Sequence, residues 1–293
     1  MTARIICNAL RGRWHGNYGL AFCPAHDNTR TPALSIKDSD DGKLLIFCHA
    51  GCDARDILAA LRAKGLLPGR SDWKPDPAKA AQRRTDQIAD DRRRIELARR
   101  CWAEAGPIDD TLAERYLRRR GITCMLPPTL RFSPTCWHGP TATRLPAMIA
   151  AVTIGQKVVG VHRTYLAEPG VKAFTDNSKL MLGCCAGGAV RLSGGTGPLV
   201  IAEGIETALS LLSGLQDRAP RVWAALSTSG MAGLILPPDP GEMVIAPDGD
   251  QPGRDAARKL AIRARAAGWR VRTMPPPAAG QDWNDHITSG AAA

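Results

Sequence analysis

The sequence predicts a multidomain α+β protein whose C-terminal third is an α/β domain with a parallel sheet. Three observations support this fold class: cysteines and histidines cluster in residues 1–67, prolines interrupt the chain at 68–77, and short apolar runs alternate with helix-forming runs from residue 197 onward. The 293 residues suffice for two or three domains with cores of their own. We expect a small Cys/His-rich domain at 1–67, a linker and Arg-rich helix at 68–108, a basic α+β subdomain at 109–195 and the α/β domain at 196–293.

The charge balance favours a polyanionic partner, and the N-terminus argues against export. Lys and Arg total 39 against 28 Asp and Glu, which gives a formal net charge of +11 and a sequence pI of about 9.5. Such a charge is compatible with nucleic-acid binding, although many basic proteins bind no polyanion. The stretch MTARIICNALRGRW lacks the apolar core of a signal peptide, and the chain has no apolar run of about 18 residues. We therefore expect a cytoplasmic protein without a membrane partner.

Two pairs of metal-ligand residues occur in the first domain. The stretch FCPAHDNTRTPALSI holds Cys23 and His26, and LLIFCHAGCD holds Cys48 and Cys52. Pairs of this spacing, about twenty residues apart with a β-hairpin between them, can bind one tetrahedral Zn²⁺. Because the protein would fill all four positions, the predicted site is structural rather than catalytic.

The cysteine and histidine pattern leaves two alternatives open. His49 with Cys52 has a two-residue spacing, so His49 is an alternative to Cys48, which we favour because thiolate is the better zinc ligand. The four residues would otherwise be core cysteines and a surface histidine. The remaining cysteines show no such spacing and are expected to be inert thiols: Cys7, Cys101, Cys124, Cys136, Cys184 and Cys185.

Helix and hairpin signals follow in the middle of the chain. DARDILAALRAKGLL predicts a helix before the linker PGRSDWKPDP, and AKAAQRRTDQIADDRRRIELARRCWAEAG predicts a long helix that stops at Gly106 and Pro107. A solvated connecting helix is the favoured interpretation of this Arg-rich run, and a nucleic-acid track is the alternative. TLAERYLRRRGI predicts a helix that ends at Gly121, and AMIAAVTIGQKVVGVHRTYL predicts a hairpin with its turn at Gly155.

Strand and helix signals alternate from residue 197 onward. LVIAE, VWAALS, EMVIAPD and WRVRTMP predict strands, and TALSLLSGL and the segment from Arg254 to Ala267 predict helices. This alternation is typical of a parallel sheet with crossover helices. The carboxyl ends of the strands would then lie at one edge, where ligands bind in open α/β sheets.

Acidic residues directly follow two of these predicted strands. In MVIAPDGDQPGRDAA, Asp248 and Asp250 stand between the apolar run and Pro252, which suits the first position of the next helix. In PLVIAEGIETALSLL, Glu203 has the same place after its own strand. Crowded carboxylates repel one another unless a cation lies between them, so neighbouring strands would make this edge a site for Mg²⁺ and phosphoryl-transfer chemistry. Each acid singly is also explained as a cap of the following helix.

These acidic motifs resemble the Toprim domain of bacterial primases, topoisomerases and related nucleases. The motifs are E-G-x-E-T-A-L-S and D-x-D-x-P-G-x-x-A, and the resemblance covers most of residues 197–285. It implies that Asp248 and Asp250 hold Mg²⁺ or Mn²⁺ and that Glu203 provides acid/base or metal-linked chemistry. Further candidate ligands at the same edge are Glu206, Asp282 and Asp285.

The cysteine and histidine motifs resemble the N-terminal zinc ribbon of DnaG-type primases and their phage or plasmid relatives. C-P-x-H-x-x-x-x-T-P-x-L-S-I is followed by C-H-A-G-C, and AERYLRRRGI, LRF, GVHRTYL and KLMLG resemble the basic subdomain that precedes Toprim in those enzymes. The resemblance spans nearly the whole chain. It departs in the second cysteine pair, where replicative primases usually have two intervening residues, and in the lack of a helicase-binding domain after Toprim. The Gly-rich stretch SGGTGPLV has no P-loop lysine, so any helicase would be a separate protein.

The resemblance implies a DNA primase of a phage, plasmid or other mobile element, which synthesises short primers on single-stranded DNA by metal-dependent nucleotidyl transfer. Nucleoside triphosphates would be its substrates, and a separate helicase is a candidate partner. Candidate contacts to template or triphosphate, each otherwise a surface cation, are Arg163, Lys172, Lys179 and Arg191. In the zinc domain, Trp14 and Tyr18 are candidates for base stacking, with a core role as the alternative for Trp14.

Two other functions would use the same residues. A Toprim nuclease would cut nucleic acid with the same acids and metals, although the zinc ribbon and the HRTYL segment favour synthesis. A non-catalytic single-strand-binding protein would have a decayed acidic site, whereas Glu203, Asp248 and Asp250 are all present.

Overall fold

The computed structural model of the protein describes residues 3–15, 18–27, 32–39, 43–67, 77–175, 177–214, 219–277, 280 and 282–290. The chain divides into two compact units, Met1–Ala80 and Ala81–Ala293. Apart from Pro77, the predicted linker at residues 68–77 lies outside the described residues. No described helix is long and apolar enough to cross a bilayer.

The secondary structure of the described residues is mixed. The helices are α1 (Ala3–Ala9), α2 (Ala54–Ala63), α3 (Pro77–Glu104), α4 (Leu112–Arg119), α5 (Ile205–Gly214), α6 (Thr228–Gly233), α7 (Gln251–Ala266) and α8 (Trp283–Gly290). The strands are β1 (Arg13–His15), β2 (Tyr18–Ala21), β3 (Leu34–Asp38), β4 (Leu44–Cys48), β5 (Leu130–His138), β6 (Thr143–Ile154), β7 (Lys157–Ala167), β8 (Val171–Lys172), β9 (Lys179–Gly183), β10 (Val190–Arg191), β11 (Leu199–Ala202), β12 (Arg221–Ala224), β13 (Glu242–Ala246) and β14 (Arg270–Thr273). The predicted α+β class is confirmed.

The first unit is an antiparallel sheet with helices packed on one face. Its strand order is β1-β2-β3-β4, and the hairpin predicted between the two ligand pairs is formed by β3 and β4, with Leu34 paired to Cys48. Alternate residues of β3 point inward, so Leu34 and Ile36 are buried in the same core as Ile57 of α2. Helix α1 also contributes to this core through Ala3, Ile6 and Cys7.

The C-terminal part of α3 packs on the middle sheet of the second unit. It therefore differs from the solvated connecting helix that the Arg-rich sequence predicted. Ala98 is fully buried in a core shared with the middle sheet. Arg94 and Arg99 donate hydrogen bonds to the backbone oxygens of Gly183 and Val158, at 3.1 and 3.0 Å. These arginines therefore hold the helix on the sheet.

The middle sheet is antiparallel, in the order β5-β6-β7-β8 with β9 also paired to β7. The predicted hairpin forms β6 and β7, and Gly155 in its turn has a φ of +58°, a conformation that favours glycine. Strand alternation sends His162 and Thr164 of β7 to one face and Arg163 to the other. Thr164 pairs with Met148, whose core includes α4, whereas Arg163 lies on the α3 side.

The predicted parallel sheet is present in the C-terminal domain. Its strand order is β10-β12-β11-β13-β14, in which β12, β11, β13 and β14 run parallel and the short β10 is antiparallel at the edge. One face of this sheet shares a core with the basic subdomain, since Val200 and Ala202 belong to the same buried cluster as Leu117 and Met148. This common core explains why both segments form a single unit.

Candidate functional site

The four predicted zinc ligands converge in the first unit. The ligand atoms of Cys23, His26, Cys48 and Cys52 all lie within 4.8 Å of one another. Nδ1 of His26 is 3.0 Å from Sγ of Cys52 and 3.8 Å from Sγ of Cys48. Three thiols and one imidazole at this separation form a Cys3His zinc-binding site. Burial raises the pKa of the Cys23 thiol to about 11, so zinc binding would release a proton there.

His49, the alternative ligand, lies outside this cluster. Its Nε2 atom is 2.7 Å from Oγ of Ser35, and its ring contacts the Phe47 ring edge-on with centroids 5.0 Å apart. Cys48 is buried at the end of β4, whereas His49 is exposed. The structure therefore places Cys48 rather than His49 at the fourth position.

The other face of the first unit's sheet carries exposed aromatic side chains. Strand register places Tyr18 and Phe47 on this face, with 39% and 62% of each residue exposed, and Tyr18 stacks on His15 at 5.5 Å. Trp14 lies on the opposite face and packs against the core, which agrees with the core role given above as the alternative to base stacking. Sequence reasoning missed Phe47, although alternation in LLIFC places it opposite the buried Cys48 side of the strand.

Two acids meet at the carboxyl edge of the C-terminal sheet because β11 and β13 are adjacent. The register pairs Ala202 with Ala246, so Glu203 and Asp248 follow neighbouring strands at the same edge. One oxygen of each, Oε2 of Glu203 and Oδ1 of Asp248, is buried and has no hydrogen-bond partner among the described residues. Unpartnered buried carboxylate oxygens are costly, so this pair is suited to a cation.

The pKa values of both carboxyl groups are raised. Burial, then the negative charges of Asp248 and Asp250, raise the pKa of Glu203 to about 7. Burial, then the charge of Asp282, raise the pKa of Asp248 to about 6. Negative charge is thus concentrated here beyond what the protein itself compensates. We call this site the acidic edge and define it as Glu203, Asp248, Asp250, Asp282 and Asp285.

Asp250 is both a helix cap and a member of the acidic edge. Its Oδ1 atom accepts a hydrogen bond of 2.8 Å from the N–H group of Gly253 in the first turn of α7. A Cβ atom on Gly253 would lie 2.8 Å from the backbone oxygen of Asp248 and 2.9 Å from Oδ1 of Asp250. Only glycine therefore permits this close packing of the turn on the helix. The helix cap occupies one carboxylate oxygen of Asp250, and the exposed side chain can still contact a ligand at the edge.

Helix α8 brings Asp282 and Asp285 to the acidic edge. Asn284, which is 2% exposed, donates hydrogen bonds to the backbone oxygen of Arg120 and to Oγ of Ser210, at 2.7 and 2.8 Å. These bonds fasten the start of α8 to α4 and α5. The N–H group of Asp285 donates to Oδ1 of Asp282 at 2.8 Å, so Asp282 also caps the helix.

Glu206, a further candidate ligand from the sequence, contacts two side chains of the basic subdomain. It is 4% exposed, accepts a 2.6 Å hydrogen bond from the Tyr116 hydroxyl, and pairs with Nζ of Lys179 at 3.0 Å. Burial alone would raise its pKa, but the charge of Lys179 and the Tyr116 hydrogen bond outweigh burial and hold the pKa below the usual range. Glu206 thus joins the C-terminal domain to the basic subdomain.

Lys172 and Lys179 are the two predicted cations that lie beside the acidic edge. Both interact with Glu206, and the positive charge of Lys179 offsets part of the rise in the pKa of Asp248 that burial causes. Burial, then the charge of Lys179, lower the pKa of Lys172. His162 lies with them: it is 6% exposed, its Nδ1 atom has no partner among the described residues, and burial followed by the charge of Lys179 lowers its pKa to about 4. His162 is therefore a neutral polar group near neutral pH.

Arg163 and Arg191 are not brought to the acidic edge. Arg163 lies on the α3 face of the middle sheet and donates to the backbone oxygens of Trp137 and Met181, at 3.2 and 3.4 Å. Arg191 lies on the edge strand β10, with its guanidinium 4.5 Å from the centroid of the Trp223 ring. The four predicted basic contacts therefore separate into two near the acids and two away from them.

Comparison with family models divides the second unit into two segments. Residues 92–192 match a model described as a domain of unknown function (DUF7146), and residues 198–293 match the model of the Toprim domain. Residues 198–293 form a Toprim domain. With the Cys3His site before it in the sequence, the chain has the order of zinc-binding unit and Toprim domain that its motifs predicted. Among curated proteins, no match to the chain is found.

Three of the solved structures that the chain resembles at low sequence identity come from primases. The zinc-binding and RNA polymerase domains of the Aquifex aeolicus primase are 15% identical with a TM-score of 0.42, over 98% of this chain and 79% of that one. The RNA polymerase domain of Mycobacterium tuberculosis primase DnaG is 15% identical with a TM-score of 0.43, over 68% and 80%. The primase fragment of the bacteriophage T7 primase-helicase is 14% identical with a TM-score of 0.40, over 64% and 70%.

Proposed function

We propose that this protein is a DNA primase, which synthesises short oligonucleotides on single-stranded DNA by metal-dependent nucleotidyl transfer. The observation that carries the proposal is the pairing of β11 with β13, which brings Glu203 and Asp248 together with buried oxygens that have no partner among the described residues. The lysines beside them supply the opposite charge that a triphosphate requires. A Toprim domain behind a zinc-binding unit supports the same function.

The acidic edge fits a hard divalent cation. Carboxylate oxygens are the ligands that Mg²⁺ and Mn²⁺ prefer, and we assign Asp248 and Asp250 as ligands with Glu203 as a further ligand or base. A divalent cation held there would supply Lewis-acid chemistry, which would favour deprotonation of the attacking 3′-hydroxyl and offset the charge of the departing pyrophosphate. Asp282 and Asp285 add negative charge that strengthens cation binding at Asp248.

The chain's own residues would handle the proton and the phosphates. With a pKa of about 7, Glu203 is suited to accept the proton of the primer 3′-hydroxyl near neutral pH. Lys179 is oriented by its ion pair with Glu206, and its side chain remains 36% exposed, so it can also contact a phosphate. Burial, then repulsion by the charge of Lys179, lower the pKa of Lys172, and the negative charge of an incoming triphosphate would offset that repulsion.

The first unit would hold the template. Tyr18 and Phe47 present aromatic faces on one side of the sheet, and base stacking on such faces contributes about 1–3 kcal/mol per base. The Cys3His site would keep the strand ends of this small unit in place. A separate helicase partner and an origin in a phage, plasmid or other mobile element belong to the proposal through the sequence resemblance alone.

Primer synthesis on single-stranded DNA with labelled nucleotides and Mg²⁺ or Mn²⁺ tests the proposal. We expect new short oligomers from the wild type and none from Asp248→Ala. Asp255→Ala is the matched control, because Asp255 lies on α7 in an exposed ion pair with Arg258 and its loss removes the same charge. Shortened template without new strands would identify a Toprim nuclease instead. Neither product in the wild type, with intact DNA binding, would identify a single-strand-binding protein.

A further inference from the structure

A cavity lined by none of the acidic-edge residues lies between the C-terminal sheet and the turn that joins β6 and β7. Its volume is about 510 Å³, within the range of small-molecule sites. It is lined by Gln156, Arg191, Arg221, Trp223, Ile235 and Pro237, among others. Arg221 is the first residue of β12 and is level with Leu199, four residues and about 13 Å before Glu203 along the neighbouring strand. Trp223 is level with Ile201, about 7 Å before Glu203.

Strand register explains why two arginines point into this cavity. Arg191 of β10 is directly opposite Trp223 of β12, and its guanidinium stacks on the indole with 4.5 Å to the ring centroid. Arg221 precedes Trp223 by two residues, so both side chains leave the sheet on the same face. The side chain of Arg191 is therefore positioned over an aromatic ring at this site.

The donors of these arginines are largely unused. Among the described residues, neither arginine makes an ion pair, and Arg191 donates no side-chain hydrogen bond. The Nε atom of Arg191 is buried without a partner among the described residues. Nε of Arg221 donates to the backbone oxygen of Gly197 at 3.3 Å, and its guanidinium lies 5.9 Å from the centroid of the Trp269 ring. Burial lowers the pKa of Arg191. A buried, positively charged donor without an acceptor is costly unless an anion binds it.

We propose that this cavity binds a phosphorylated nucleoside, either a free nucleotide or one nucleotide of a single strand. Two guanidinium groups suit a phosphate, which they bind through paired N–H donors. Ile235, which is 52% exposed, and Pro237 offer an apolar wall for the sugar and base, and the free face of the Arg191 plane can stack a base. An inorganic anion alone would not use this apolar wall. The site goes beyond the proposed catalytic function because it contains none of the acidic residues.

Calorimetric titration of the full-length, zinc-loaded protein with ATP and with a single-stranded oligothymidylate tests the proposal. The buffer contains no divalent cation, so that the acidic edge contributes no metal-mediated binding. We expect Arg191→Ala and Arg221→Ala each to weaken binding at least about tenfold. Arg258→Ala is the control, because it removes an equal charge from an exposed position. Gln156→Glu places a negative charge at the rim on an exposed turn, and should weaken binding severalfold without disturbing the fold.

The pattern of losses identifies the ligand and can overturn the proposal. Loss of ATP binding in the cavity variants would identify a free-nucleotide site, and loss confined to the oligothymidylate would identify a strand site. Both results support the proposal. It is overturned if both ligands bind the cavity variants as tightly as the wild type, or if Arg258→Ala causes the same loss. Primer synthesis by Asp248→Ala is measured separately, so a failure of the catalytic proposal would not be mistaken for a failure of this one.

Discussion

The ion pair between Glu206 and Lys179 should contribute measurably to the free energy of unfolding, because Glu206 is buried. The Glu206 side chain is 5% exposed and charged, and Lys179, with 36% of its side chain exposed, is its ion-pair partner. Removing one partner of a buried pair costs about 3–5 kcal/mol, and the partial exposure of Lys179 places Lys179→Met near 3 kcal/mol. Tyr116→Phe removes one hydrogen bond to a charged acceptor, for which we expect a loss of about 1.5–3 kcal/mol.

The pH dependence of this pair follows from the lowered pKa of Glu206. A carboxyl group with a lowered pKa stabilises the folded state fully above the unfolded value of about 4.3, and this contribution is lost as the pH falls through the folded value. The cost of Lys179→Met should therefore be largest near pH 7 and much smaller near pH 3. Glu206→Gln in the same chain should recover part of the loss, because it removes the uncompensated buried charge.

Urea unfolding measures these effects, with hydrogen exchange of peptides from α5 reporting on the second unit. Lys157→Met is the control, since Lys157 is an exposed lysine at the start of β7 in the same sheet. We expect a coupling energy of at least about 1.5 kcal/mol between Lys179 and Glu206 in a double-mutant cycle. Additive losses, or an equal effect of Lys157→Met, would refute the assignment of Glu206 as a buried structural anion.

Three further outcomes are expected. Cys23→Ala should reduce bound zinc, measured by atomic absorption, from one ion per chain to almost none, whereas Cys184→Ala should retain it; full zinc in Cys23→Ala would contradict the site. Asp248→Asn should raise the melting temperature at pH 8 without divalent cations but not at pH 4. The reason is that a carboxyl group with a raised pKa destabilises the folded state as the pH rises from the unfolded pKa to about 6 and above. An equal change in melting temperature at both pH values would contradict this expectation. Gly253→Ala should weaken Mn²⁺ binding, measured by electron paramagnetic resonance, because the new methyl group collides with Asp248 and the Asp250 cap, and unchanged binding would show that the turn tolerates it.

The acidic edge was largely predictable from the sequence. Alternation of strand and helix signals fixes a parallel sheet, and a parallel sheet places residues that follow its strands at one edge. Glu203 and Asp248 required only the further condition that their strands be neighbours, which the structure meets. The zinc cluster was predictable for a similar reason, since ligand spacing and a hairpin are local features.

Other residues depend on tertiary packing that local patterns do not encode. Glu206 stands three residues after Glu203, yet the first turn of α5 directs it to Tyr116, which is distant in sequence. Strand alternation in HRTYL predicts that Arg163 lies on the opposite face of the middle sheet from His162 and Thr164. Which of the two faces lies near the acidic edge depends on how α3 and α4 pack on the sheet. Arg191 lies on an antiparallel edge strand that the alternating pattern did not indicate.

Anomalous diffraction from a crystal soaked in Mn²⁺ would locate the metal site. We expect an anomalous difference peak at the acidic edge, about 2.1 Å from carboxylate oxygens that include Asp248. The peak should disappear in Asp248→Ala and persist in Asp255→Ala. A manganese peak elsewhere in the chain, with this edge empty at saturating Mn²⁺, would contradict the assignment of these acids as the metal site and the nucleotidyl transfer proposed for them.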